Sequence, residues 1–156
     1  MSSHSPSPAE HMSAAIDAAV ESVRTGGGPF GAVIVTADGR KFMGMNRVTV
    51  DNDPTAHAEV TAIRLACKRL GTYDLSGAVL YSSCEPCPMC ATAARWARVR
   101  RVEFAADRHD AAAAGFDDSR FYDVIVTPDD LIAQAAHAER LRPFDTWAQT
   151  TTRTDY

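Results

Sequence analysis

The spacing of apolar positions changes along the chain, and each spacing predicts a different element. From residue 12 to residue 23 apolar side chains recur at helical intervals, which predicts a first helix. Ser7-Pro8-Ala9-Glu10 marks its start as a capping box with an early proline, and Gly26–Pro29 marks its end. From Gly31 to Thr36 the pattern becomes a short apolar run rich in β-branched residues, which predicts a buried strand.

The next segments predict a hairpin and a second helix. The first strand turns through Ala37-Asp38-Gly39 into a second strand near Lys41–Val48, so the two are expected to pair antiparallel. A loop at Asp51–Pro54 follows. A helix from about Thr55 to Leu70 then ends at a glycine, the residue that most often closes a helix.

Downstream, the order strand, helix, strand predicts parallel pairing through a helical crossover. The three segments are Ala78–Ser82, Pro86–Val99 and Val102–Ala105. Beyond Ala111 the pattern blurs, and the alanine-rich stretch Leu131–Arg140 favours a helix by propensity alone. This part of the chain therefore indicates an α/β protein.

Length and composition fit one globular domain. The chain has 156 residues, of which 46% are hydrophobic and 23% charged, and a chain of this length can bury a sizeable core. We expect residues 1–8 to form a disordered tail and residues 9–156 to form the domain. No apolar run reaches the length of a membrane span, and the first residues lack a secretory pattern, so we expect neither a membrane protein nor an exported one.

The cysteines indicate a metal site. Three of the four lie between residues 84 and 90, and such crowding in a chain without an export signal favours metal binding over disulfides. The same reasoning predicts a cytoplasmic location.

The charge argues against a nucleic-acid partner. The formal net charge is −4, whereas proteins that track a nucleic-acid backbone carry basic patches. One basic cluster stands out, formed by Arg95, Arg98, Arg100 and Arg101. We interpret it as a solvated helix end rather than as an RNA-binding stripe.

Two short motifs carry the candidate chemistry. His57-Ala58-Glu59 is followed by Pro86-Cys87-Pro88-Met89-Cys90. Cys87 and Cys90 lie three positions apart, on one face of the predicted helix and in its first turn. The helix dipole there favours thiolate, the form of cysteine that binds zinc.

The motifs predict an open zinc site. His57, Cys87 and Cys90 are three ligands, which leave the fourth tetrahedral position for a water whose pKa falls to about 7. Glu59 then carries a proton from that water to a leaving group. The alternative is a closed structural site that adds Cys84, but it would give Glu59 no role. Cys67, in mid-helix, is expected in the core.

Helix geometry constrains the first motif. Residues two apart on a regular helix point about 200° away from each other, so His57 and Glu59 could not easily serve one metal site there. We therefore expect the second helix to begin within a few residues of His57, after the start signal Asp53-Pro54-Thr55.

The H-x-E and P-C-x-x-C motifs together are the signature of zinc deaminases, and the chain resembles the cytidine-deaminase-like superfamily. Within it, residues 9–156 resemble the bacterial guanine deaminases. Beyond the metal motifs, the resemblance rests on Gly28–Val33, Asn46, Asn52–Glu59, Ser83–Cys90, Trp96-Ala97-Arg98, Ala114–Asp118 and Tyr156.

The resemblance implies a three-layer αβα sandwich around a five-stranded mixed sheet. Leu131–His137 would supply the fifth strand, against its helical propensity. The resemblance also implies one Zn²⁺ per chain, hydrolysis of guanine to xanthine and ammonia, and a homodimer with exchanged C-terminal segments. The segment between Asp118 and Trp147 matches weakly and is shortened, which bears on the fifth strand and on the path of the tail.

Four further residues take roles by resemblance. Asn46 would hydrogen-bond the purine, Phe30 would pack against it, Asp118 would be a second acid near the substrate, and Tyr156 would close the partner's pocket. Phe30 could equally be a core anchor, and Asp118, like Asp117 before it, could be a loop or cap residue.

Trp96 is harder to place. It lies nine positions from Cys87, about half a turn away on a regular helix. We expect it in the core, at a dimer interface, or in a neighbouring subunit's pocket, where it would contribute to substrate binding.

Other functions remain open from the sequence. One is deamination of another substrate: cytosine, a nucleoside such as guanosine, a triazine, or adenosine in tRNA, although the acidic charge disfavours tRNA. A second is a zinc-stabilised binding module without catalysis.

Overall fold

A computed structural model describes residues 6–116, 118–122 and 132–153 of the chain. Its elements are α1 (Pro8–Arg24), β1 (Gly31–Val35), β2 (Lys41–Met45), α2 (Val48–Asp51), α3 (Ala58–Leu70), β3 (Val79–Cys84), α4 (Pro88–Trp96), β4 (Arg101–Ala106), α5 (Arg108–Ala113), α6 (Ser119–Tyr122), β5 (Ile132–Gln134) and α7 (Arg142–Gln149).

The strands form one mixed sheet in the order β2-β1-β3-β4-β5. Strand β1 pairs antiparallel with both β2 and β3, whereas β3, β4 and β5 run parallel. The predicted hairpin, the parallel pairing and the five-stranded mixed sheet are thereby confirmed.

Helices cover both faces of the sheet. On one face, Met12 and Ile16 of α1 pack against Val33 and Tyr81. On the other face, a cluster of small and branched side chains from α3, α4 and the sheet forms the larger core. This arrangement confirms the three-layer αβα sandwich.

Two glycines let helices approach the sheet closely. A Cβ on Gly31 would lie 2.3 Å from the Ala15 carbonyl oxygen of α1, and one on Gly44 would lie 2.2 Å from the Ala58 carbonyl oxygen of α3. Only glycine fits such contacts with backbone. Gly44 therefore allows the first turn of α3, which follows His57, to lie directly on β2.

Several predicted boundaries were wrong by a few residues. Strand β2 ends at Met45 rather than near Val48, which instead begins the single helical turn α2. Helix α4 spans Pro88–Trp96 rather than Pro86–Val99, because Pro88 takes the first helical position and Cys87 the N-cap.

The fifth strand lies where the resemblance placed it, and the helix predicted there from propensity was wrong. Ile132–Gln134 pairs parallel with β4, and the Ala135 N–H donates to the Phe104 carbonyl. Ile132 also packs against the larger core. Pairing with an open strand edge and apolar burial override the helical preference of an alanine-rich segment.

The N-terminal capping box is confirmed. The Ser7 hydroxyl accepts from the Glu10 N–H, and the Glu10 carboxylate accepts from the Ser7 N–H at 2.6 Å. Helix α1 thus takes up Pro8, the last residue of the predicted tail, while residues 1–5 lie outside the described part. Among the described helices, none is long and apolar enough to cross a membrane.

Candidate metal centre and adjoining cavity

Three side chains from two distant segments converge on one point. The Nδ1 atom of His57 lies 3.6 Å from the Cys87 sulfur and 3.5 Å from the Cys90 sulfur. All three donor atoms lie within 4.8 Å of one another. The predicted trio is therefore assembled in the structure.

Helix starts bring the trio together. His57 is the N-cap of α3 and Cys87 is the N-cap of α4, both with extended backbone. The prediction that the second helix begins near His57 is confirmed, since α3 starts at Ala58. Glu59 is the second helical residue, so the irregular entry turns both side chains toward the same site.

The geometry of the trio fits zinc. Bond lengths of about 2.3 Å to sulfur and 2.0–2.1 Å to nitrogen, at a tetrahedral angle, require a sulfur–nitrogen distance of about 3.6 Å. The observed distances of 3.5 and 3.6 Å meet this requirement. A hydrogen bond from Cys90 lowers the pKa of Cys87 to about 4, which gives that sulfur the thiolate character zinc binds.

Cys84 lies outside the trio. Its thiol donates to the Asp107 carbonyl oxygen at 3.6 Å, and burial raises its pKa well above the ordinary thiol value. Within the part of the chain that the structure describes, the metal-ligand cluster consists of His57, Cys87 and Cys90. The geometry thus favours the open site over the closed one.

Glu59 is buried beside the trio. Only 6% of the residue is exposed, and burial raises the pKa of its carboxyl group. The Ser82 hydroxyl, on β3, donates to the Oε1 atom of Glu59 at 3.2 Å. A buried carboxyl with a raised pKa exchanges protons near neutral pH more readily than an exposed one.

A cavity of about 280 Å³ opens beside the trio. This volume lies just below the range for drug-sized ligands, about 300–1,000 Å³. Part of its wall belongs to the two segments that carry the trio: His57, Glu59, Cys84, Glu85 and Cys87. The rest comes from four other segments: Phe30, Asn46, Arg108 with Ala111, and Phe116 with Asp118 and Phe121.

Asn46 lies in this wall just past the end of β2. It is 1% exposed, and its Oδ1 atom accepts from the Gly28 N–H at 3.3 Å and the Val48 N–H at 3.2 Å. Two backbone donors therefore fix the carboxamide, and its Nδ2 group is the donor it can offer to a ligand.

Asp118, which directly precedes α6, also lines the cavity. Its Oδ1 atom is buried and has no hydrogen-bond partner within residues 6–116, 118–122 and 132–153. Burial, followed by the nearby Cys87 sulfur, raises the pKa of its carboxyl group. A buried acceptor without a protein partner marks a position where a ligand donor fits.

The chain is similar to known proteins. Residues 6–106 match the family model for the cytidine and deoxycytidylate deaminase zinc-binding region. The chain belongs to this deaminase family. It is 50% identical to guanine deaminase from Bacillus subtilis over 147 residues, which covers 91% of this chain and 94% of that protein.

Two further comparisons distinguish the deaminases among themselves. The X-ray structure of the Bacillus subtilis guanine deaminase superposes with a TM-score of 0.74 at 48% identity and covers 97% of this chain and 99% of that one. A tRNA-specific adenosine deaminase from Agrobacterium fabrum is 51% identical, but only over 50% of this chain and 51% of that protein.

The remaining predicted residues have different outcomes in this deaminase. Phe30 lines the cavity and also packs edge-on against Phe116 and Phe144, at 5.0 and 6.0 Å between ring centres; its packing against a purine stays a prediction. Asp117 and Tyr156 lie outside the described residues.

Trp96 is not a core residue, because 78% of it is exposed. It lines an apolar groove of about 710 Å³ on the outer face of α4. Cys87 borders the same groove. It is the N-cap of α4 and has extended backbone, so the angle of half a turn expected between Cys87 and Trp96 on a regular helix does not apply. The groove shares four lining residues with the cavity: His57, Cys87, Asp118 and Phe121.

Sequence reasoning missed the polar residues that support the deaminase site. Ser82 holds Glu59, and Glu85 pairs with Arg108. Ser82 is a single polar residue in a buried strand, and Glu85 and Arg108 are 23 positions apart. Neither contact therefore produces a local sequence motif. Phe116 lies in Ala114–Asp118, one of the segments that carry the resemblance, but no local pattern placed it or Phe121 in the cavity wall.

Proposed function

We propose that this chain is a zinc-dependent guanine deaminase, which hydrolyses guanine to xanthine and ammonia. The observation that carries the proposal is the extent of the similarity to the Bacillus subtilis guanine deaminase, which includes the segments around Phe116 and Asp118 that wall the cavity. The sequence similarity to the tRNA-specific adenosine deaminases of Agrobacterium fabrum and Haemophilus influenzae covers less of the chain, 50% and 60%.

On the metal side, His57, Cys87 and Cys90 would hold one zinc ion per chain. When bound, zinc supplies a water whose pKa is lowered to about 7. With zinc held there, Glu59 would take one proton from water as the water oxygen adds to the carbon bearing the amino group. Glu59 then gives the proton to the amino nitrogen, the carbon–nitrogen bond breaks, and ammonia leaves. The Ser82 hydroxyl, which donates to Oε1, would orient the carboxyl group.

On the substrate side, the cavity offers groups suited to a flat, polar purine. Asn46 donates from Nδ2 to an acceptor on the base, since its Oδ1 is held by backbone. Phe30 packs against the ring, in an aromatic wall completed by Phe116. Asp118 accepts a donor of the base or relays a proton, which satisfies its Oδ1 atom.

The substrate assignment is tested by ammonia release. The zinc-loaded protein is incubated with guanine, guanosine, cytosine and adenine, and with an adenosine-containing tRNA stem-loop. We expect ammonia from guanine. Release from another substrate but not from guanine would assign the chain to a different deaminase, and no release from any would support a binding module.

The proposal includes a homodimer with exchanged C-terminal segments. The groove beside the cavity exposes Trp96, Met89 and Phe121, and exposed apolar patches of this kind mark interaction sites. Because the groove borders His57 and Asp118, a segment seated there would close the cavity. We assign this place to the C-terminal residues of a second copy, with Tyr156 as the lid and Trp96 as its platform.

Mixed dimers test this exchange. A chain lacking Tyr156 keeps Glu59, and a Glu59→Gln chain keeps the tail, so each homodimer is expected to be inactive or nearly so. If the tail serves the neighbour, co-refolding equal amounts restores about one quarter of the wild-type rate, because half of the dimers are mixed and each has one complete site. Absence of restoration, or a monomeric mass in light scattering, would exclude the exchange.

A cytoplasmic location belongs to the same proposal. None of the four cysteines forms a disulfide, which is typical of a reducing compartment. Cell fractionation with an antibody against the native chain would test it, and recovery outside the cytoplasmic fraction would contradict it.

A further inference from the structure

Arg108 ties together two segments that border the cavity. At the start of α5, its Nε and Nη2 atoms donate to the Glu85 Oε1 atom at 3.2 and 2.8 Å, and its backbone N–H donates to Oε2 at 2.9 Å. Glu85 lies in the loop that leads to the metal ligand Cys87. A forked, charge-assisted contact of this kind fixes both partners more firmly than a single neutral hydrogen bond.

The same guanidinium reaches the second segment through Tyr122. It stacks over the Tyr122 ring at 3.6 Å, and the Tyr122 hydroxyl donates to the Pro86 carbonyl oxygen at 2.6 Å. Arg108 and Tyr122 therefore close a ring of contacts between the ligand loop and α6. We name this set of residues, Glu85, Pro86, Arg108 and Tyr122, the clamp.

Helix α6, which the clamp contacts through Tyr122, is too short to be stable by itself. Helix α6 is only four residues long, far below the length at which a helix is stable alone. Asp118 comes directly before α6, and Phe121 lies within it; both side chains line the cavity. The position of both side chains relative to Cys87 therefore depends on contacts such as those of the clamp.

Charge explains why an arginine suits this place. The cavity wall carries the carboxyl groups of Glu59, Glu85 and Asp118, and Arg108 is the one arginine or lysine among its described residues. By pairing with Glu85 it offsets one of these charges. A lysine would keep the charge but would lose both the fork and the planar stacking on Tyr122.

We propose that Arg108 and Tyr122 are positioning residues that hold Asp118 over the cavity by clamping α6 to the metal-ligand loop. The proposal rests on the proposed function for the role of Asp118 in turnover. It assigns no contact between Arg108 and the substrate.

A double-mutant cycle tests whether Arg108 acts through Asp118. We expect Arg108→Lys to lower kcat/KM with guanine about tenfold and Tyr122→Phe to lower it about threefold, with zinc content unchanged. If Arg108 acts through Asp118, Arg108→Lys causes no further loss in an Asp118→Asn background. Losses that multiply in the double variant, or an Arg108→Lys enzyme as active as the wild type, would overturn the proposal.

Hydrogen exchange gives a reading that does not depend on the substrate. In the zinc-loaded protein, Arg108→Lys and Tyr122→Phe should speed amide exchange in residues 118–122 while leaving α3 unchanged. Unchanged exchange in residues 118–122 would reject the clamp even if guanine is turned over. Faster exchange would support it even if another base proves to be the substrate.

The chain supplies a matched control pair. Arg98 lies over the exposed ring of Tyr73 at 5.9 Å, and neither residue lines the cavity. Arg98→Lys and Tyr73→Phe make the same chemical changes at the surface. We expect both to leave kcat/KM and the exchange of residues 118–122 as in the wild type.

Discussion

The two sides of the cavity are built in different ways. On the metal side, His57 and Cys87 are the N-cap residues of α3 and α4, and Glu59 lies in the first turn of α3. The facing wall comes largely from residues in loops next to short helices, such as Asn46, Phe116 and Asp118. The reactive groups therefore stand on well-packed elements, whereas the groups that choose the substrate depend on contacts between segments far apart in the sequence.

Removing the metal should cause the largest loss of activity, and it changes only the metal side of the cavity. Cys90→Ser takes away a fully buried ligand, so we expect zinc content to fall below one equivalent per ten chains and ammonia release to drop by more than about 10³-fold. Metal analysis and a guanine assay measure both. Cys67→Ser, which alters a cysteine that belongs neither to the metal cluster nor to the cavity wall, should retain zinc and rate. Activity that persists without zinc would contradict the assignment.

Glu59→Gln should separate proton transfer from metal binding. The amide keeps the size of the side chain but cannot carry the proton, so kcat should fall about 10³-fold while zinc content stays at the wild-type level. Glu103→Gln on β4 is the control, since Glu103 pairs with Arg101 at 3.1 Å and does not line the cavity. Loss of zinc in Glu59→Gln would mean that the carboxylate serves as a ligand instead.

The two sides also differ in how far the sequence predicts them. The metal side could be predicted because ligand spacing and helix starts are local, and the angle between His57 and Glu59 even fixed where α3 begins. The helix expected from the propensity of the alanine-rich segment was wrong, because pairing with β4 decides its structure. Ser82 and Arg108 left no signal, because their roles come from neighbours 23 residues away along the chain.

On the facing wall, Asp118→Asn should have a smaller effect. The substitution keeps one acceptor oxygen but removes the acidic function, so we expect kcat/KM for guanine to fall about tenfold to a hundredfold with zinc retained. Asp145→Asn, on an exposed position of α7, should leave the kinetics unchanged. An unchanged rate for Asp118→Asn would reduce Asp118 to a structural residue of the loop.

Ser82→Ala tests how much precision the metal side itself requires. The hydroxyl donates to a buried carboxylate, and losing one such bond should lower kcat about tenfold while KM changes little. The adjacent Ser83 is just as buried, but its hydroxyl accepts from the Gly31 N–H at 3.0 Å. Ser83→Ala should therefore cost about 1–3 kcal/mol of stability, seen as a lower Tm, and keep kcat.

This adjacent pair separates positioning from packing. If Ser82 acts only as a core residue, the two alanine variants lose stability alike and neither loses kcat. If it orients Glu59, kcat falls in Ser82→Ala alone, and Ser82→Thr, which keeps the hydroxyl, restores most of the rate. That result would show that the metal side, like the facing wall, depends on contacts between distant segments. Glu59, which the His57-Ala58-Glu59 motif identifies, would then depend on Ser82, which no motif identifies.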